Sequence, residues 1–216
     1  MPKIALTTFY TKNYQPLADI TVEVMRQYCD KHGYHLNINV IEDNERYHFV
    51  KTKDTRKLLD EFDVVMGIEA DCLLTNFNIK VEDFLDEENE LYITTDFTNI
   101  NFGVFIVKSS DPTKRLFDWI NAQKDMFGDE QEIFEANRNI EKTKVVKHPC
   151  FNSIPYSPYY APDFGKMHYK PGDEVYICKE NEGHWMPGNF ICHLPGKNMQ
   201  DRITIFEDLK QHIIYG

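Results

Sequence analysis

Two acidic residues, Glu69 and Asp71, stand one residue apart directly after an apolar stretch at 63–68 that has the pattern of a buried strand. Side chains two positions apart on an extended chain point the same way. Both carboxylates can therefore reach one hard cation, because such cations prefer oxygen ligands. A metal held there would bridge diphosphate oxygens and neutralise a leaving nucleotide. A solvated turn with two exposed carboxylates is the alternative interpretation.

A second candidate segment lies at 188–197 and reads GNFICHLPGK. Its short apolar strand is followed by His193, Gly196 and Lys197. A neutral imidazole can complete an oxygen-rich metal site, glycine lets backbone amides approach a phosphate, and lysine adds a point charge. A histidine at a strand end is more often structural, so this segment gains weight only together with the acidic pair.

The elements that must position these segments alternate between strand and helix. Apolar runs and helical periods predict strands at 3–9, 34–41 and 63–68, with helices at 19–32 and 54–62 between them. This βαβαβ order predicts an α/β fold with a mostly parallel central sheet flanked by helices. Ligands of such folds bind beyond the carboxyl ends of the strands, where both candidate segments begin.

The second half of the chain continues with predicted strands at 90–95 and 103–108 and a closing helix at 201–214. A further helix is predicted from Asp111 or Pro112 to about 122, with Asp111 as its cap.

Between 149 and 195 the texture changes, because seven of the ten prolines and nine of the 29 aromatic residues fall there. This predicts extended loops over one end of the sheet, whose rings either face a sugar-like ligand or seal the edge of the core.

Charge and composition exclude several classes of protein. The 216 residues carry 24 basic and 35 acidic side chains, a net charge of −11, which is unsuited to sequence-independent nucleic-acid binding or to an anionic membrane surface. No apolar run is long enough to span a bilayer and no targeting segment is present, which predicts a cytoplasmic location, in the host cytoplasm for a viral protein. Because the net charge is negative, any bound polyphosphate must be held by local groups such as a bound metal.

The five cysteines are widely spaced and odd in number, which favours buried thiols in a reducing compartment. The same cysteines and nearby histidines do not favour a zinc site, because their spacings match no recognised finger or ribbon. The candidate ligands of such a site are His148, Cys150, Cys178, Cys192 and His193. The length predicts one domain, 1–216, either complete or part of a longer chain with further domains.

Six short motifs in order resemble the GT-A glycosyltransferases, and in particular the yeast mannan and plant xyloglucan type. These are 29–34 (CDKHGY), 69–76 (EADCLLTN, at the family's D-x-D segment), 101–107 (NFGVFIV), 129–131 (DEQ), 151–153 (FNS) and 188–196 (GNFICHLPG). The ordered match runs from residue 3 to about 205. The resemblance implies a nucleotide-binding part at about 1–110 and an acceptor or closing part at about 111–216.

The resemblance also implies a UDP-sugar donor, a glycan acceptor and Mn²⁺ or Mg²⁺. Asp71 and His193 match the metal ligands, while Glu69 replaces the family's first Asp and either binds the metal, directly or through water, or holds the ribose. The other implied contacts are Thr8, Phe9 and Tyr10 to the nucleobase, Ala70, Asn101 and Gly103 to the donor, and Gly196 and Lys197 to the diphosphate. The family's cation often lies two or three residues beyond the glycine, where this chain has Asn198 and Met199.

The family resembled is retaining, and Gln131 matches the side chain that lies beneath the sugar ring. Glu130 and Asp129 are the alternatives for a general base, although acidic residues are also common at helix starts. Asp96 is a candidate for holding donor or acceptor hydroxyls. Two other functions stay open, a sugar-nucleotide pyrophosphorylase and a non-catalytic carbohydrate-binding module.

Overall fold

A computed structural model of the protein describes residues 1–42, 47–95, 100–136, 142–146, 148–155 and 184–216. Asp96, Cys178 and most of the predicted proline-rich and aromatic-rich loops lie outside the described residues. The described part contains ten strands: β1 (Ile4–Thr11), β2 (His35–Ile41), β3 (Val64–Ile68), β4 (Cys72–Leu74), β5 (Leu91–Thr95), β6 (Ile100–Lys108), β7 (Thr143–Val145), β8 (Ile154–Pro155), β9 (His184–Trp185) and β10 (Ile191–His193). It also contains six α-helices: α1 (Gln15–His32), α2 (Val50–Leu58), α3 (Asp111–Ala122), α4 (Glu130–Ala136), α5 (His148–Phe151) and α6 (Met199–Leu209).

Six strands form the central sheet in the order β2-β1-β3-β6-β5-β7. Neighbouring strands are parallel except that β6 runs antiparallel to both β3 and β5. The predicted α/β class with a mostly parallel central sheet is therefore confirmed. Gly67 of β3 lies opposite Phe105 of β6, and a Cβ atom at Gly67 would come within 2.4 Å of the Phe105 ring. The ring thus occupies the space that a side chain on β3 would need.

Helices cover both faces of this sheet, as its buried strands require. On one face Tyr28 of α1 and Phe206 of α6 pack in one cluster with Met66 of β3. On the other face Phe117 of α3 and Phe134 of α4 pack against β6. Two short strands, β4 and β10, pair antiparallel, and their apolar residues belong to the first cluster.

The helix boundaries follow local chemistry that the hydrophobic pattern only partly indicates. Helix α1 ends where predicted, at Gly33, which adopts the left-handed conformation with φ 71°. Helix α3 also spans the predicted residues, but the prediction of Asp111 as its cap is wrong. Ser110 is the cap, because its hydroxyl accepts a hydrogen bond from the Thr113 N–H at 3.3 Å and its backbone is extended.

Three helices begin earlier than predicted, and α1 is one of them, since it spans Gln15–His32 rather than 19–32. Helix α2 spans Val50–Leu58 rather than 54–62 because its buried face is largely polar and gives no apolar period. Helix α6 spans Met199–Leu209 rather than 201–214, and a 3-10 turn, Lys210–His212, follows it. Among the described helices, none has the length together with the apolar character that a bilayer crossing needs. Cys29, Cys72 and Cys192 are buried thiols, as predicted, and Cys150 is half-buried.

Candidate active site

The acidic pair lies in the turn that links β3 to β4, beyond the carboxyl end of β3. The Cys72 N–H donates to the Glu69 carbonyl at 3.1 Å and closes this turn. Helix α1 also fixes the turn, because the Thr21 hydroxyl donates a hydrogen bond to the Ala70 carbonyl at 2.8 Å. These two hydrogen bonds hold the short backbone segment that carries Glu69 and Asp71.

Strand β10 brings His193 to the same place. Its antiparallel pairing with β4 sets His193 opposite Cys72. The His193 N–H donates to the Ser153 carbonyl at 2.8 Å, and the Leu194 N–H donates to the Asp71 carbonyl at 3.1 Å. The imidazole Nε2 consequently lies 3.4 Å from Asp71 Oδ1 and 3.8 Å from Glu69 Oε2. All three metal ligands that the resemblance implies are thus brought together.

His193 is only 2% exposed, and its two ring nitrogens have different surroundings. Nδ1 lies 2.6 Å from Asn152 Oδ1, whereas Nε2 is buried without a hydrogen-bond partner among the described residues. When Nδ1 donates its proton to Asn152, the Nε2 lone pair faces the two carboxylates. Buried polar atoms without a partner are rare, and a divalent cation would satisfy this one. The donor set of two carboxylates and one imidazole therefore fits Mn²⁺ or Mg²⁺.

Cys72 adjoins the same cluster, because one ligand atom each from Asp71, Cys72 and His193 lies within 4.8 Å of the others. Burial raises the pKa of the Cys72 thiol. Burial disfavours the charged imidazole, but Cys72 and Asp71 together raise the pKa of His193 well above its ordinary value. Burial likewise disfavours the charged Asp71, yet His193 and Arg202 lower the pKa of that carboxyl. A cation bound at Nε2 must therefore displace a proton.

Two buried basic side chains, Lys51 and Arg202, form ion pairs with these carboxylates. Neither was predicted from the sequence. Lys51 Nζ donates to Glu69 Oε1 at 2.9 Å and to the Phe102 carbonyl at 2.6 Å. Arg202 Nη2 lies 3.0 Å from Asp71 Oδ2. The helical period did contain a signal for their burial. Lys51 stands four residues before Thr55 and seven before Leu58, which are both buried in α2. Arg202 has the same spacing to Phe206 and Leu209, which are both buried in α6.

Two adjoining cavities open at this edge of the sheet and share Glu69, Asp71 and His48. The first has a volume of about 450 Å³ and an aromatic wall. It is lined by Phe9, Tyr10, Thr11, Asn13, Tyr14, Tyr47, His48, Glu69, Ala70 and Asp71. The second measures about 310 Å³ and is more polar in its lining. It is lined by His48, Glu69, Asp71, Asn101, Phe102, Gly103, Asp129, Glu130, Gln131, His193, Pro195 and Gly196.

Most of the residues expected at the site line these cavities. Gly103 of β6 is tightly enclosed, because a Cβ atom there would lie 2.9 Å from His193 Cε1 and 3.0 Å from both Asn101 Oδ1 and Glu69 Oε2. Neither Thr8 nor Lys197 is among the described residues that line the two cavities. Thr8 is 1% exposed and points into the protein.

The 129–131 segment begins helix α4, and its three side chains have different roles. Asp129 Oδ1 accepts a hydrogen bond from the Glu132 N–H at 2.8 Å, as a helix cap does. Glu130 is 4% exposed, its Oε1 lies 3.5 Å from Lys51 Nζ, and burial raises its pKa to about 7. Gln131 Oε1 accepts from the Phe102 N–H at 3.3 Å, which anchors its amide at the second cavity.

Comparison with solved structures relates this architecture to known proteins. A glycosyltransferase involved in the glycosylation of the major capsid of PBCV-1 matches 96% of this chain and 100% of its own, with a TM-score of 0.71 and 16% identity. The galactosyltransferase LgtC, in complex with donor and acceptor sugar analogues, matches 97% of this chain and 96% of its own, with a TM-score of 0.57 and 14% identity. Mouse xyloside xylosyltransferase 1 matches 90% of this chain and 98% of its own, with a TM-score of 0.53 and 11% identity. The chain has the GT-A fold.

The GT-A fold confirms the resemblance to glycosyltransferases at the level of architecture, while the yeast mannan and plant xyloglucan type stays a prediction. The motifs also resemble the N-terminal glycosyltransferase domain of a large chlorella-virus protein, and the PBCV-1 capsid glycosyltransferase is the neighbour that bears on this likeness. No protein-family model and no curated protein matches the sequence. At these low identities the likeness shows the fold, and one fold can carry many different activities.

Proposed function

We propose that the protein is a metal-dependent glycosyltransferase that moves a hexose or deoxyhexose from a UDP-sugar to a hydroxyl of a glycan, with retention. One observation carries the proposal. The buried His193 Nε2 lacks a hydrogen-bond partner among the described residues and faces the Glu69 and Asp71 carboxylates, which two adjoining cavities share. A cation bound there would stand between a nucleotide in one cavity and a sugar in the other. The GT-A neighbours support a sugar-transfer function.

The first cavity suits the nucleoside. Its wall carries Phe9, Tyr10 and Tyr14, rings on which a flat base can stack. Ala70 and the Glu69 carboxylate lie at the boundary with the second cavity, where the ribose and diphosphate would pass. The second cavity draws on both the proposed nucleotide-binding part at about 1–110 and the closing part at about 111–216.

Asp71, His193 and Glu69 would hold Mn²⁺ or Mg²⁺, which would neutralise the charge that develops on the leaving diphosphate. Gly103 and Asn101 line the second cavity, where the donor sugar would lie, and Gly196 would present its backbone amide to a phosphate. Lys197 follows Gly196 directly in the chain and would add a positive charge near the diphosphate.

Gln131 is the residue we place beneath the anomeric carbon, because its amide is anchored at the second cavity. Glu130 is the better candidate for proton transfer, since a pKa of about 7 suits a group that gains and loses a proton near neutral pH. Asp129 is the weaker candidate because its carboxylate caps α4.

The other two functions are less favoured. A pyrophosphorylase grips a triphosphate with a glycine-rich, basic loop after the first strand, whereas the segment after β1, Lys12–Tyr14, contains no glycine. A carbohydrate-binding module has no use for a buried cluster of carboxylates, imidazole and cations. The solved structures that share the fold are glycosyltransferases.

The test is UDP release from a panel of UDP-sugars, with and without Mn²⁺. We expect metal-dependent turnover that Asp71→Asn lowers by about 100-fold, because the change removes a charge from the cation site. Asp30→Asn, at an exposed position of α1, is the matched control and should behave as wild type. Turnover of Asp71→Asn at the wild-type level would overturn the assignment, and no UDP release from any donor would count against the function itself.

A further inference from the structure

The two carboxylates at the candidate metal site share an unusual arrangement, in which each divides its oxygens between a buried cation and the imidazole. Glu69 Oε1 is bound by Lys51 at 2.9 Å, while Oε2 lies 3.8 Å from His193 Nε2. Asp71 Oδ2 is bound by Arg202 at 3.0 Å, while Oδ1 lies 3.4 Å from the same Nε2. One oxygen of each carboxylate is therefore paired with a buried cation, and the other lies near His193 Nε2.

The two cations are themselves held in place. Arg202 Nε donates to the Leu194 carbonyl at 2.9 Å, and its Nη1 donates to the Tyr14 hydroxyl at 2.8 Å. The Arg202 guanidinium thus links the Asp71 carboxylate, the Leu194 carbonyl and the Tyr14 hydroxyl. The Lys51 side chain is 0% exposed and is also bound to the Phe102 carbonyl. Neither cation can turn away without leaving buried polar groups unpaired.

We infer that Lys51 and Arg202 are positioning residues for the divalent cation of the proposed function, on which this inference rests. By engaging one oxygen of each carboxylate, they leave Glu69 Oε2 and Asp71 Oδ1 on the side of His193 Nε2, where the two oxygens would hold the ion. The inference also assigns Glu69, with its extra methylene, to direct binding of the ion rather than to the ribose.

A competing explanation is that the two cations only balance the buried negative charge. The two explanations predict opposite results when a cation is removed. Loss of a nearby positive charge alone would strengthen the binding of a second cation. Loss of a partner that orients a metal ligand instead weakens metal binding by about 10-fold to 100-fold. Metal affinity therefore separates positioning from charge balance without any measurement of turnover.

The first experiment titrates the protein with Mn²⁺ alone and follows free Mn²⁺ by electron paramagnetic resonance. We expect Arg202→Lys, which keeps the charge but loses the three-way contact, and Arg202→Met, which loses both, to bind Mn²⁺ about 10-fold or more weakly than wild type. Arg115→Lys and Arg115→Met, at an exposed position of α3, are matched controls and should leave the affinity unchanged. Circular dichroism and thermal unfolding check that each variant is folded.

Unchanged affinity in Arg202→Lys, or tighter binding in Arg202→Met, would overturn the positioning role while leaving the metal site of the proposed function intact. Absence of Mn²⁺ binding by the wild-type protein would instead overturn the metal site, and the inference with it. The two failures are therefore distinguishable.

Lys51 is tested in the Glu130→Gln background, so that its removal leaves Glu69 as the one carboxylate that loses this cation. The double variant Lys51→Met/Glu130→Gln is compared with Glu130→Gln alone, because residue 130 is then neutral in both. We expect the double variant to bind Mn²⁺ about 10-fold more weakly than the single variant. Equal affinities in the two variants would remove Lys51 from the proposal. This arm also stands independently if the Arg202 variants do not fold.

Discussion

At the scale of single residues, Glu130 has the most unusual ionisation in the candidate active site. Its side chain is almost completely buried, Lys51 is its nearest cation, and Glu69 adds a second negative charge nearby. Burial outweighs the attraction of Lys51 and raises the pKa of Glu130 from 4.5 to about 7. The charged form is therefore the unfavourable one in the folded protein.

This ionisation makes stability depend on pH in a defined direction. Below about pH 4.5 Glu130 is protonated in both the folded and the unfolded states and has no effect. As the pH rises toward 7, the unfolded chain ionises while the folded protein keeps its proton, so the free energy of unfolding falls. We expect Glu130→Gln to be more stable than wild type by about 3 kcal/mol at most above neutral pH, and equal to it in acid, as measured by urea unfolding.

Glu61→Gln, at an exposed position, provides the matched control and should show no such pH-dependent gain. A Glu130→Gln variant that is less stable than wild type in alkaline solution would show that the ionised carboxylate stabilises the fold through Lys51 instead.

The residues that bind or orient the proposed ligands could be predicted only in part. Spacing after a strand pointed to Glu69 and Asp71, and a strand end pointed to His193. Lys51 and Arg202 were not recognised because a basic residue on a helix is usually exposed. Their burial depends on carboxylates far along the chain, and a hydrophobic pattern does not encode this pairing.

At the scale of elements, helix α6 decides where Arg202 stands. Asn198 begins this helix, and its side-chain oxygen accepts a hydrogen bond from the Asp201 N–H at 2.9 Å. The resemblance led to the expectation of a cation near this position, whereas the asparagine provides a helix cap. The cap fixes the first turn, from which Arg202 reaches Asp71.

Loss of this cap should loosen the helix. We expect Asn198→Ala to lower the free energy of unfolding by about 1 kcal/mol, measured by chemical denaturation, because an orphan backbone N–H loses its acceptor. Asn198→Ser retains a capping oxygen and should stay close to wild type. If the alanine and serine variants were equally stable, the side-chain cap would have no part in holding α6.

Most elements of the sheet and its covering helices could be predicted, because strands and amphipathic helices leave periodic apolar patterns. Helix α2 was misplaced by four residues because Lys51, Thr52 and Asp54 occupy its buried side. The reversal of β6 was also not predicted. Sequence periodicity indicates a strand but gives no information about its direction within a sheet.

At the scale of the whole molecule, the net charge of −11 opposes the binding of a nucleoside diphosphate. Glu69 and Asp71 add to this repulsion at the boundary of the two cavities. Lys51 and Arg202 are paired with the other oxygen of each carboxylate, Glu69 Oε1 and Asp71 Oδ2. A divalent cation would therefore change the sign of the local field at the point where the diphosphate would lie.

Calorimetry with UDP should show this change directly. We expect UDP to bind at least about 10-fold more tightly with Mn²⁺ than with a chelator. In the chelator, added salt should strengthen the weak binding, because it screens the repulsion between like charges. Uridine is the matched control ligand, since without phosphates its affinity should not depend on the cation. Equal UDP affinity with and without the metal would contradict the proposed function.

The contact between Arg202 and Asp71 also has a consequence for protein synthesis. Roughly 130 residues separate the two positions, and at about 5–20 residues per second the ribosome adds the arginine about 7–26 seconds after the aspartate. During that interval all residues of β1, β2 and β3 have been made, but Asp71 has neither its histidine nor its guanidinium partner. A nascent chain therefore could not complete the proposed cation site, and binding of the proposed nucleotide sugar would have to wait until helix α6 has been made and has docked.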